Sequence, residues 1–350
     1  MPVERILEIP PAVEAAVVAA VNAGQSVRGT TSPNPPVGCA LFDAAGIIAT
    51  GATEPAGGRH AERVALDAAK YADADTDADR IRGASLAVTL EPCNHTGRTG
   101  PCTEAIVDAG VEHVYYVHQD PNPVARGGAD YLRTRGVRVT QVSYPVDGLL
   151  PWLDSVVHGR VSVTAKFAGT LDGFTAAPDG TSQWITGPET RQYAHYDRAM
   201  RDAIVIGTGT AIADNPSLTA RERDGSLLGN QPRRVVVGKR RVPEGNLTRL
   251  GFEQYGTPQE AFDALYATGA RDVLVEGGPT LMRSVFELDI VDRITAYVAP
   301  VLLGGGRGLL DGPVAETLAA ARRFDMHDAF TLGGDAVIEL CRPHTQRKDN

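Results

Sequence analysis

Several features that would place the protein in a specialised class are missing from its sequence. No uninterrupted apolar run approaches the roughly 20 residues of a membrane-spanning helix, and the first residues lack the basic start and apolar middle of a signal peptide. The formal net charge of −9 counts against a nucleic-acid partner, which favours a basic surface. Only four cysteines are present, unlike a dense disulfide framework. We therefore expect a cytoplasmic protein without membrane or nucleic-acid partner, in which two thiols are reserved for a metal.

The sequence does contain enough apolar residues for two ordinary domains. Its 350 residues exceed one typical core, and 43% hydrophobic with 22% charged residues is typical of globular proteins. Short apolar strands alternate with helices in both halves, which predicts an α/β fold for each. We expect a first domain at residues 1–146, a linker at 147–159, where the periodic pattern weakens, and a second domain at 160–345.

The predicted elements follow from apolar runs bounded by turn residues. The stretches 221–231 and 240–256 are polar and glycine-rich, and are predicted to be exposed loops. A helix is expected over 61–70, and another over 103–109. The main predicted strands are 85–90, 113–117, 137–142, 161–168, 203–207, 234–237, 272–276 and 293–299.

The most informative motif is His60-Ala61-Glu62, followed by Pro92-Cys93 and then Cys102. One imidazole and two thiols form a three-ligand zinc set that leaves the fourth tetrahedral position open for water. Glu62 suits a general acid/base that takes a proton from this water and delivers protons to leaving ammonia. The arrangement is typical of zinc deaminases, although eight residues rather than two separate the cysteines.

The sequence context supports this metal set but leaves a structural zinc site open. Cys93 directly follows a predicted strand, and Cys102 directly precedes a predicted helix, whose positive end favours a thiolate. A structural site would need a fourth protein ligand, for which Cys39, His95 and His113 are the candidates. Three unrelated core residues are the other alternative. Glu62 favours the catalytic interpretation, because a structural site needs no acid/base.

Two further segments bear on the substrate. The insert NHTGRTGP between the cysteines offers Thr96, Arg98, Thr99 and exposed backbone N–H groups to a phosphate. A solvated loop whose glycines only form turns is the alternative. The rigid turn Ser32-Pro33-Asn34-Pro35 presents an Asn34 amide, which offers both donor and acceptor to a pyrimidine edge.

Taken together, SPNPPVGCA, HAE and EPCNHTGRTGPC resemble the deaminase domain of the bifunctional riboflavin-biosynthesis deaminase/reductase family. The resemblance implies a cytidine-deaminase-like α/β/α sandwich in the N-terminal half. It implies that His60, Cys93 and Cys102 bind Zn²⁺ and that Glu62 is the catalytic proton donor. It also implies a phosphorylated pyrimidine substrate, a diaminopyrimidinone carrying a ribosylamino 5′-phosphate. From their residue chemistry, we expect Asn34 and Arg98 to contact this substrate.

The second half carries weaker signals when its residues are considered alone. The segment beginning at Gly207-Thr208-Gly209 fails the G-x-G-x-x-G pattern, because Ile212 occupies the last glycine position, so a Rossmann domain is unsupported. Glu276-Gly277-Gly278 ends a buried strand and opens a helix, where backbone N–H groups could receive a phosphate. Gly304-Gly305-Gly306 is either another anion loop or a flexible connection, and Trp184 alone is more often a core residue.

The segments KFAGTLDG, SQWIT, GTGTAIADNPSLTAR and VEGGPTL resemble the reductase domain of the same family. The resemblance implies a dihydrofolate-reductase-like α/β domain that uses NADPH. The cofactor-binding residues it implies are Ala168, Trp184, Thr210, Asp214, Gly278, Pro279, Thr280, Leu281, Met282, Arg283 and Ser284. The substrate-binding residues it implies are Lys166, Ser182, Arg198, Leu218, Arg221 and Glu276.

The sequence thus predicts a two-step enzyme, and we expect it to form a homo-oligomer, either a dimer or a tetramer. The first domain would remove an amino group from the pyrimidine, and the second would reduce the ribosyl group to ribityl with NADPH. The alternatives are a nucleoside or transfer-RNA deaminase with an unrelated C-terminal module, and a zinc-stapled binding protein without turnover.

Overall fold

The computed structural model describes residues 4–6, 8–71, 80–95 and 100–343, with side chains from residue 8 onward except at position 71. The chain divides into two compact units, Met1–Gly159 and Arg160–Asn350. Both contain a sheet packed against helices, so the predicted two-domain α/β class is confirmed. Within the described ranges, no helix is both long enough and apolar enough to cross a membrane.

The first unit is built on a six-stranded sheet. Its spatial order is β1-β6-β5-β4-β2-β3. Strands β1, β6, β5 and β4 pair in parallel, whereas the hairpin β2–β3 joins antiparallel to β4. The strands are β1 (Glu4–Ile6), β2 (Gly38–Asp43), β3 (Gly46–Ala52), β4 (Ser85–Leu90), β5 (His113–His118) and β6 (Arg138–Val142).

Five helices of the described first unit pack around this sheet and share one continuous apolar core. They are α1 (Pro11–Ser26), α2 (Ala61–Tyr71), α3 (Cys102–Ala109), α4 (Gly128–Thr134) and α5 (Leu150–His158). Close packing against the hairpin requires glycine. A Cβ on Gly51 would lie 2.4 Å from the Ala61 carbonyl oxygen of α2. This contact sets the start of α2, and with it the HAE motif, directly against the sheet.

The second unit is built on an eight-stranded sheet in the order β11-β10-β9-β12-β7-β13-β16-β15. Strands from β11 to β13 pair in parallel, and β16 and β15 close the sheet antiparallel. A two-stranded ribbon of β8 (Phe174–Ala176) and β14 (Arg307–Gly308) lies apart from it. The sheet strands are β7 (Ser162–Thr170), β9 (Ala203–Gly207), β10 (Arg233–Val237), β11 (Glu253–Tyr255), β12 (Asp272–Val275), β13 (Val291–Ala299), β15 (Asp325–Leu332) and β16 (Asp335–Cys341).

Both faces of this parallel sheet are covered. Along β9, Ala203 and Val205 belong to one apolar cluster, while the alternate residues Ile204 and Ile206 belong to another. Continuous apolar strands are expected when helices cover both faces of a sheet. The helices are α6 (Pro188–Ala199), α7 (Thr208–Asp214), α8 (Asn246–Leu250), α9 (Pro258–Ala267) and α10 (Pro279–Glu287).

The structure differs from the sequence-based expectation in two segments. Most of the predicted linker, 147–159, is helix α5, whose Trp152 and Leu153 are buried in the first unit. Trp152 also donates from Nε1 to the Pro33 carbonyl oxygen at 2.9 Å, which fastens this helix to the SPNP turn. The predicted loop 240–256 contains α8 and β11, because Leu247 supplies a buried contact that its polar neighbours obscure.

Candidate active sites

The donor atoms of His60, Cys93 and Cys102 lie together in the first unit. His60 Nδ1 is 3.4 Å from Cys93 Sγ and 3.4 Å from Cys102 Sγ. All three donor atoms are within 4.8 Å of one another, and both thiols are buried. One nitrogen and two sulfur donors suit zinc, and three protein ligands leave its fourth tetrahedral position open. These residues are a candidate zinc centre of the catalytic type.

Rigid elements bring the three donors together despite their wide separation in sequence. His60 immediately precedes α2, Cys93 lies three residues beyond β4, and Cys102 is the first residue of α3. The Thr103 N–H donates to the Cys93 carbonyl oxygen at 3.4 Å, joining the two cysteine segments. Hydrogen bonding from Cys102 and His60 lowers the pKa of Cys93, which favours the thiolate that binds metal.

Glu62 lies beside this cluster. It lies in the first turn of α2, is 4% exposed, and lines the same cavity as His60 and Cys93. Burial, with the nearby charge of Cys93 adding to it, raises the pKa of Glu62 to about 7. A carboxyl group that titrates near neutrality can both accept and release a proton.

The candidate fourth ligands lie outside the donor cluster. The cluster formed by the described residues contains three side chains, and Cys39, His95 and His113 are not among them. Cys39 is completely buried in β2 as part of the apolar core. His113 Nε2 instead lies 2.9 Å from Thr140 Oγ1 on the neighbouring strand. The geometry therefore favours an open metal site over a closed structural one.

A cavity of about 170 Å³ opens onto the metal cluster. The predicted substrate residue Asn34 lines it, together with His95. Arg98, Thr96 and Thr99 lie outside the described residues. Glu91, Asp120 and Asn122, which no sequence motif singles out, also line this cavity. Their positions after β4 and β5 could have identified them, because the carboxyl ends of adjacent parallel strands lie at one edge of a sheet.

The second unit contains a much larger cavity of about 1160 Å³. Its lining comes from the carboxyl ends of four parallel strands, namely Lys166 to Ala168 of β7, Gly207 after β9, Arg240 after β10 and Glu276 after β12. The N-termini of α7 and α10 also face it, through Thr208 and Pro279. Bare backbone N–H groups at helix starts suit the phosphates of a cofactor.

Three charged side chains form a connected group at this cavity. Arg198 Nε is 2.6 Å from Glu276 Oε1, and Lys166 Nζ is 3.5 Å from Glu276 Oε2. Burial alone would raise the pKa of Glu276, but the charges and hydrogen bonds of Arg198 and Lys166 lower it to about 2. Glu276 is therefore a stable carboxylate that orients two cationic groups, and both Lys166 and Glu276 line the cavity.

Most of the cofactor residues implied by the resemblance line this cavity, but three do not. Met282 is 1% exposed and packs in the core, and Arg283 pairs with Glu287 along the outer side of α10. Trp184 is 67% exposed, and the guanidinium carbon of Arg191 lies over its ring, 4.5 Å from the ring centroid. The predicted cofactor residues that do line the cavity are Ala168, Thr210, Asp214, Gly278, Pro279, Thr280, Leu281 and Ser284.

The implied substrate residues divide in the same way. Ser182 lines the cavity together with Lys166 and Glu276. Arg198 does not line the cavity but bonds to Glu276, which does. Leu218, which is 3% exposed, and Arg221, which bonds to Thr219 Oγ1 at 3.4 Å, also lie outside the cavity lining. Cavity-lining residues missed in the sequence include Arg240, Arg307 and Asp311.

Comparison with family models assigns a class to each unit. Residues 12–118 match the cytidine and deoxycytidylate deaminase zinc-binding region, and residues 161–338 match the RibD C-terminal domain. The protein is thus a two-domain enzyme that joins a zinc-dependent deaminase domain to a reductase domain. Because the second unit matches the RibD C-terminal domain, a nucleoside deaminase with an unrelated C-terminal module is not favoured.

Similarity to whole proteins then defines the family. The chain is 54% identical over 322 residues to riboflavin biosynthesis protein RibD of Corynebacterium ammoniagenes, covering 89% of this chain and 93% of that one. It is 41% identical over 338 residues to the RibD of Mycobacterium tuberculosis strain H37Rv, covering 94% and 97%. The chain belongs to the RibD family, whose members act as deaminase and reductase in riboflavin biosynthesis.

Solved structures agree along both units. A diaminohydroxyphosphoribosylaminopyrimidine deaminase/5-amino-6-(5-phosphoribosylamino)uracil reductase from Thermotoga maritima superposes with a TM-score of 0.82 at 28% identity, covering 95% of this chain and 99% of that one. RibD of Acinetobacter baumannii gives a TM-score of 0.79 at 31% identity, covering 95% and 99%. Zn²⁺ fits the His/Cys/Cys set of the first unit, and NADPH fits the reductase domain.

Proposed function

We propose that the protein converts 2,5-diamino-6-(5-phosphoribosylamino)pyrimidin-4-one to 5-amino-6-(5-phosphoribitylamino)uracil in two steps. The first step is a zinc-dependent hydrolytic deamination of the pyrimidine ring, catalysed by residues 1–146. The second is an NADPH-dependent reduction of the ribosyl group to ribityl, catalysed by residues 160–345. The name of the Thermotoga maritima relative supports this substrate, since it contains both activities.

In the deaminase domain, we assign metal binding to His60, Cys93 and Cys102. Zinc held there supplies a water molecule of lowered pKa, which is a competent nucleophile near neutral pH. Glu62 takes a proton at its carboxylate and passes it to the departing amine nitrogen, a role that its burial beside the donor cluster supports. Asn34 is placed to read the pyrimidine edge.

In the reductase domain, NADPH supplies the hydride, and the protein's task is to hold the ribosyl carbon against it. Glu276 fixes the Lys166 ammonium at 3.5 Å, which leaves Lys166 with further N–H groups for a sugar oxygen. The Arg198 pair holds Glu276 itself in place. Ser182 and the helix start at Gly278 to Thr280 complete the proposed substrate and cofactor contacts.

The position of Arg240 supports NADPH rather than NADH as the cofactor. Arg240 lies three residues beyond β10, a strand that is three strand spacings, or about 14 Å, from the Lys166 strand β7. Its guanidinium makes a weak hydrogen bond to Thr208 Oγ1 at 3.4 Å, and within the described ranges it has no ion pair with an acidic side chain. A cation left available inside a cofactor-sized cavity suits the extra phosphate of NADPH.

The observation that carries this function is the buried Glu62 beside three converging zinc ligands, on a chain whose residues 161–338 also match the RibD C-terminal domain. The test is to supply the phosphorylated diaminopyrimidinone to zinc-loaded protein and follow ammonia release and NADPH oxidation separately. Glu62→Gln should slow ammonia release by about 100-fold or more, while NADPH oxidation with deaminated substrate continues. Normal ammonia release by this variant would refute the assigned mechanism.

We also propose a cytoplasmic homo-oligomer, a dimer or a tetramer. Support comes from β15, which pairs with β16 alone among the described strands and exposes residues 325–329. Met326 on this strand is 63% exposed. Exposed edge strands carrying apolar residues are suited to pairing with another chain. Light scattering should give a multiple of the 37.0 kDa chain mass, and Met326→Lys should shift it towards the monomer.

A further inference from the structure

We propose that Glu91 is a positioning residue of the deaminase site, which fixes residues 119–129 as a wall of the cavity beside the metal cluster. Glu91 is outside the donor cluster of His60, Cys93 and Cys102. It directly follows β4 and is 4% exposed, so its side chain points into the protein. The proposal rests on the proposed deaminase function, which it deepens by assigning a residue that shapes the substrate cavity.

The Glu91 carboxylate accepts three backbone hydrogen bonds from this one segment. Oε2 accepts from the Asp120 N–H at 3.3 Å. Oε1 accepts from the Gly127 N–H at 3.2 Å and from the Ala129 N–H at 3.0 Å. The three donors span ten residues that run from the end of β5 to the start of α4. One buried side chain thus ties together the two ends of an irregular segment.

Backbone groups on both sides of Glu91 also contact this part of the chain. The Glu91 N–H donates to the His118 carbonyl oxygen at 2.8 Å, and the Asn94 N–H donates to the Ala125 carbonyl oxygen at 3.1 Å. A Cβ on Gly128 would lie 1.8 Å from the Pro92 carbonyl oxygen, so only glycine permits this approach. Removing the Glu91 carboxylate would leave several buried N–H groups without an acceptor, and the segment would have to move to recover them.

Moving this segment would move the cavity wall. Asp120, Asn122 and Ala125 all line the cavity that opens on the metal cluster. Within the segment, the Asn122 N–H donates to Asp120 Oδ1 at 2.8 Å, and the Val124 N–H donates to Asn122 Oδ1 at 3.1 Å. These local bonds stabilise the conformation of the segment itself, whereas Glu91 fixes the position of the segment relative to the metal cluster.

The metal ligands themselves are held by other contacts. Cys102 opens α3, whose Thr103 bonds through N–H to the Cys93 carbonyl oxygen and through Oγ1 to Asn94 Oδ1 at 2.9 Å. Arg63 of α2 also donates from Nη2 to the Gly100 carbonyl oxygen at 3.1 Å. Loss of the Glu91 carboxylate should therefore displace the cavity wall while zinc stays bound.

The test compares Glu91→Gln and Glu91→Ala in the full zinc-loaded chain, with Glu104→Gln, an exposed glutamate on α3, as the control. The first measurement is amide hydrogen exchange. Glu91→Gln keeps one carbonyl oxygen for Gly127 and Ala129, so faster exchange is expected mainly at Asp120. Glu91→Ala should speed exchange at all three amides. The control should match the wild type.

The second measurement is zinc content with the kinetics of ammonia release from the phosphorylated diaminopyrimidinone. We expect zinc to remain near one per chain and kcat/KM to fall by about 10- to 100-fold in Glu91→Ala, mainly through KM, with Glu91→Gln intermediate. Unchanged exchange at the three amides, or zinc loss in step with activity, would overturn the proposal. The expected exchange pattern in a protein whose wild type releases no ammonia from this pyrimidine would support the positioning role and reject the proposed substrate instead.

Discussion

Arg198 and Glu276 form a two-bond ion pair inside the second unit, with Nε 2.6 Å from Oε1 and Nη2 2.8 Å from Oε2. The side chains are only 17% and 7% exposed. Planar guanidinium and carboxylate groups matched in this way have little freedom to rotate. Because Lys166 contacts the same carboxylate, the position of its ammonium group at the cavity depends on the pair.

Glu276→Gln should therefore impair both stability and reduction. Breaking a buried pair leaves an uncompensated charge, and the expected loss is about 3–5 kcal/mol of unfolding free energy. The matched control is Glu253→Gln, since Glu253 also makes two bonds, to Arg233, but at 35% and 33% exposure. The control should cost at most about 1 kcal/mol. Chemical unfolding and NADPH oxidation measure the effects, and equal destabilisation by the two variants would show that burial does not strengthen the Arg198–Glu276 pair.

Zinc content should depend on the three clustered donor residues and not on Cys39, the other buried cysteine of the first unit. Cys102→Ala removes one of the three ligands and should reduce bound zinc well below one per chain. Cys39→Ala should keep zinc, because Cys39 belongs to the apolar core of β2 and lies outside the donor cluster. Metal analysis after gel filtration measures both. Zinc loss in Cys39→Ala, with the protein still folded by circular dichroism, would instead favour a structural zinc site with Cys39 as its fourth ligand.

The metal cluster could be predicted from the sequence because its chemistry is carried by residue types that are rare in this chain. His60, Cys93 and Cys102 stand in a recognisable order, and each adjoins a predicted element boundary. Glu91 and Asp120 could not be weighted in the same way, since acidic residues are common. Their importance arises from the pairing of β4 with β5, which brings two strand ends together.

The predicted strands agree well with the structure where five of six or four of five residues are buried, as in β4 and β9. The errors fall on elements whose apolar residues are few or irregularly spaced. Helix α5 falls within the predicted linker because Pro145 before it and Pro151 in its first turn interrupt the periodic pattern, although Trp152 and Leu153 anchor it. Strand β15 was missed because most of its residues are exposed, so no alternation of buried and exposed positions marks it.

Arg240→Gln should weaken the binding of NADPH without weakening the binding of NADH. Removing the guanidinium removes a charge-assisted hydrogen-bonding group that only the extra phosphate would use, and such bonds contribute about 1.5–3 kcal/mol. We therefore expect KM for NADPH to rise about 10- to 100-fold and KM for NADH to stay within a factor of about two. Arg241→Gln is the control, because the neighbouring Arg241 does not line the cavity. Equal changes for the two cofactors would exclude phosphate recognition by Arg240.

His113 should make the protein less stable as the pH falls. Burial, followed by the charge of Arg138, lowers the pKa of His113 from 6.5 to about 4 in the folded state. Between these two pH values the unfolded chain binds the proton and the folded chain does not, so protonation favours unfolding. The contribution is fully present above pH 6.5 and is lost progressively towards pH 4. It should amount to at most about 2 kcal/mol, because partial exposure screens the charge.

His113→Gln isolates this contribution. Glutamine does not titrate in this range, and its amide can still reach Thr140 Oγ1, which His113 contacts at 2.9 Å. Urea unfolding of both proteins at pH 7.5 and pH 4.5 gives a double difference in which the other titrating groups cancel. The variant should be the less stable protein at pH 7.5, where the packing of His113 on Tyr115 at 4.0 Å is lost, and the gap should narrow or reverse at pH 4.5. A gap that stays constant between the two pH values would show that His113 titrates alike in the folded and unfolded chains.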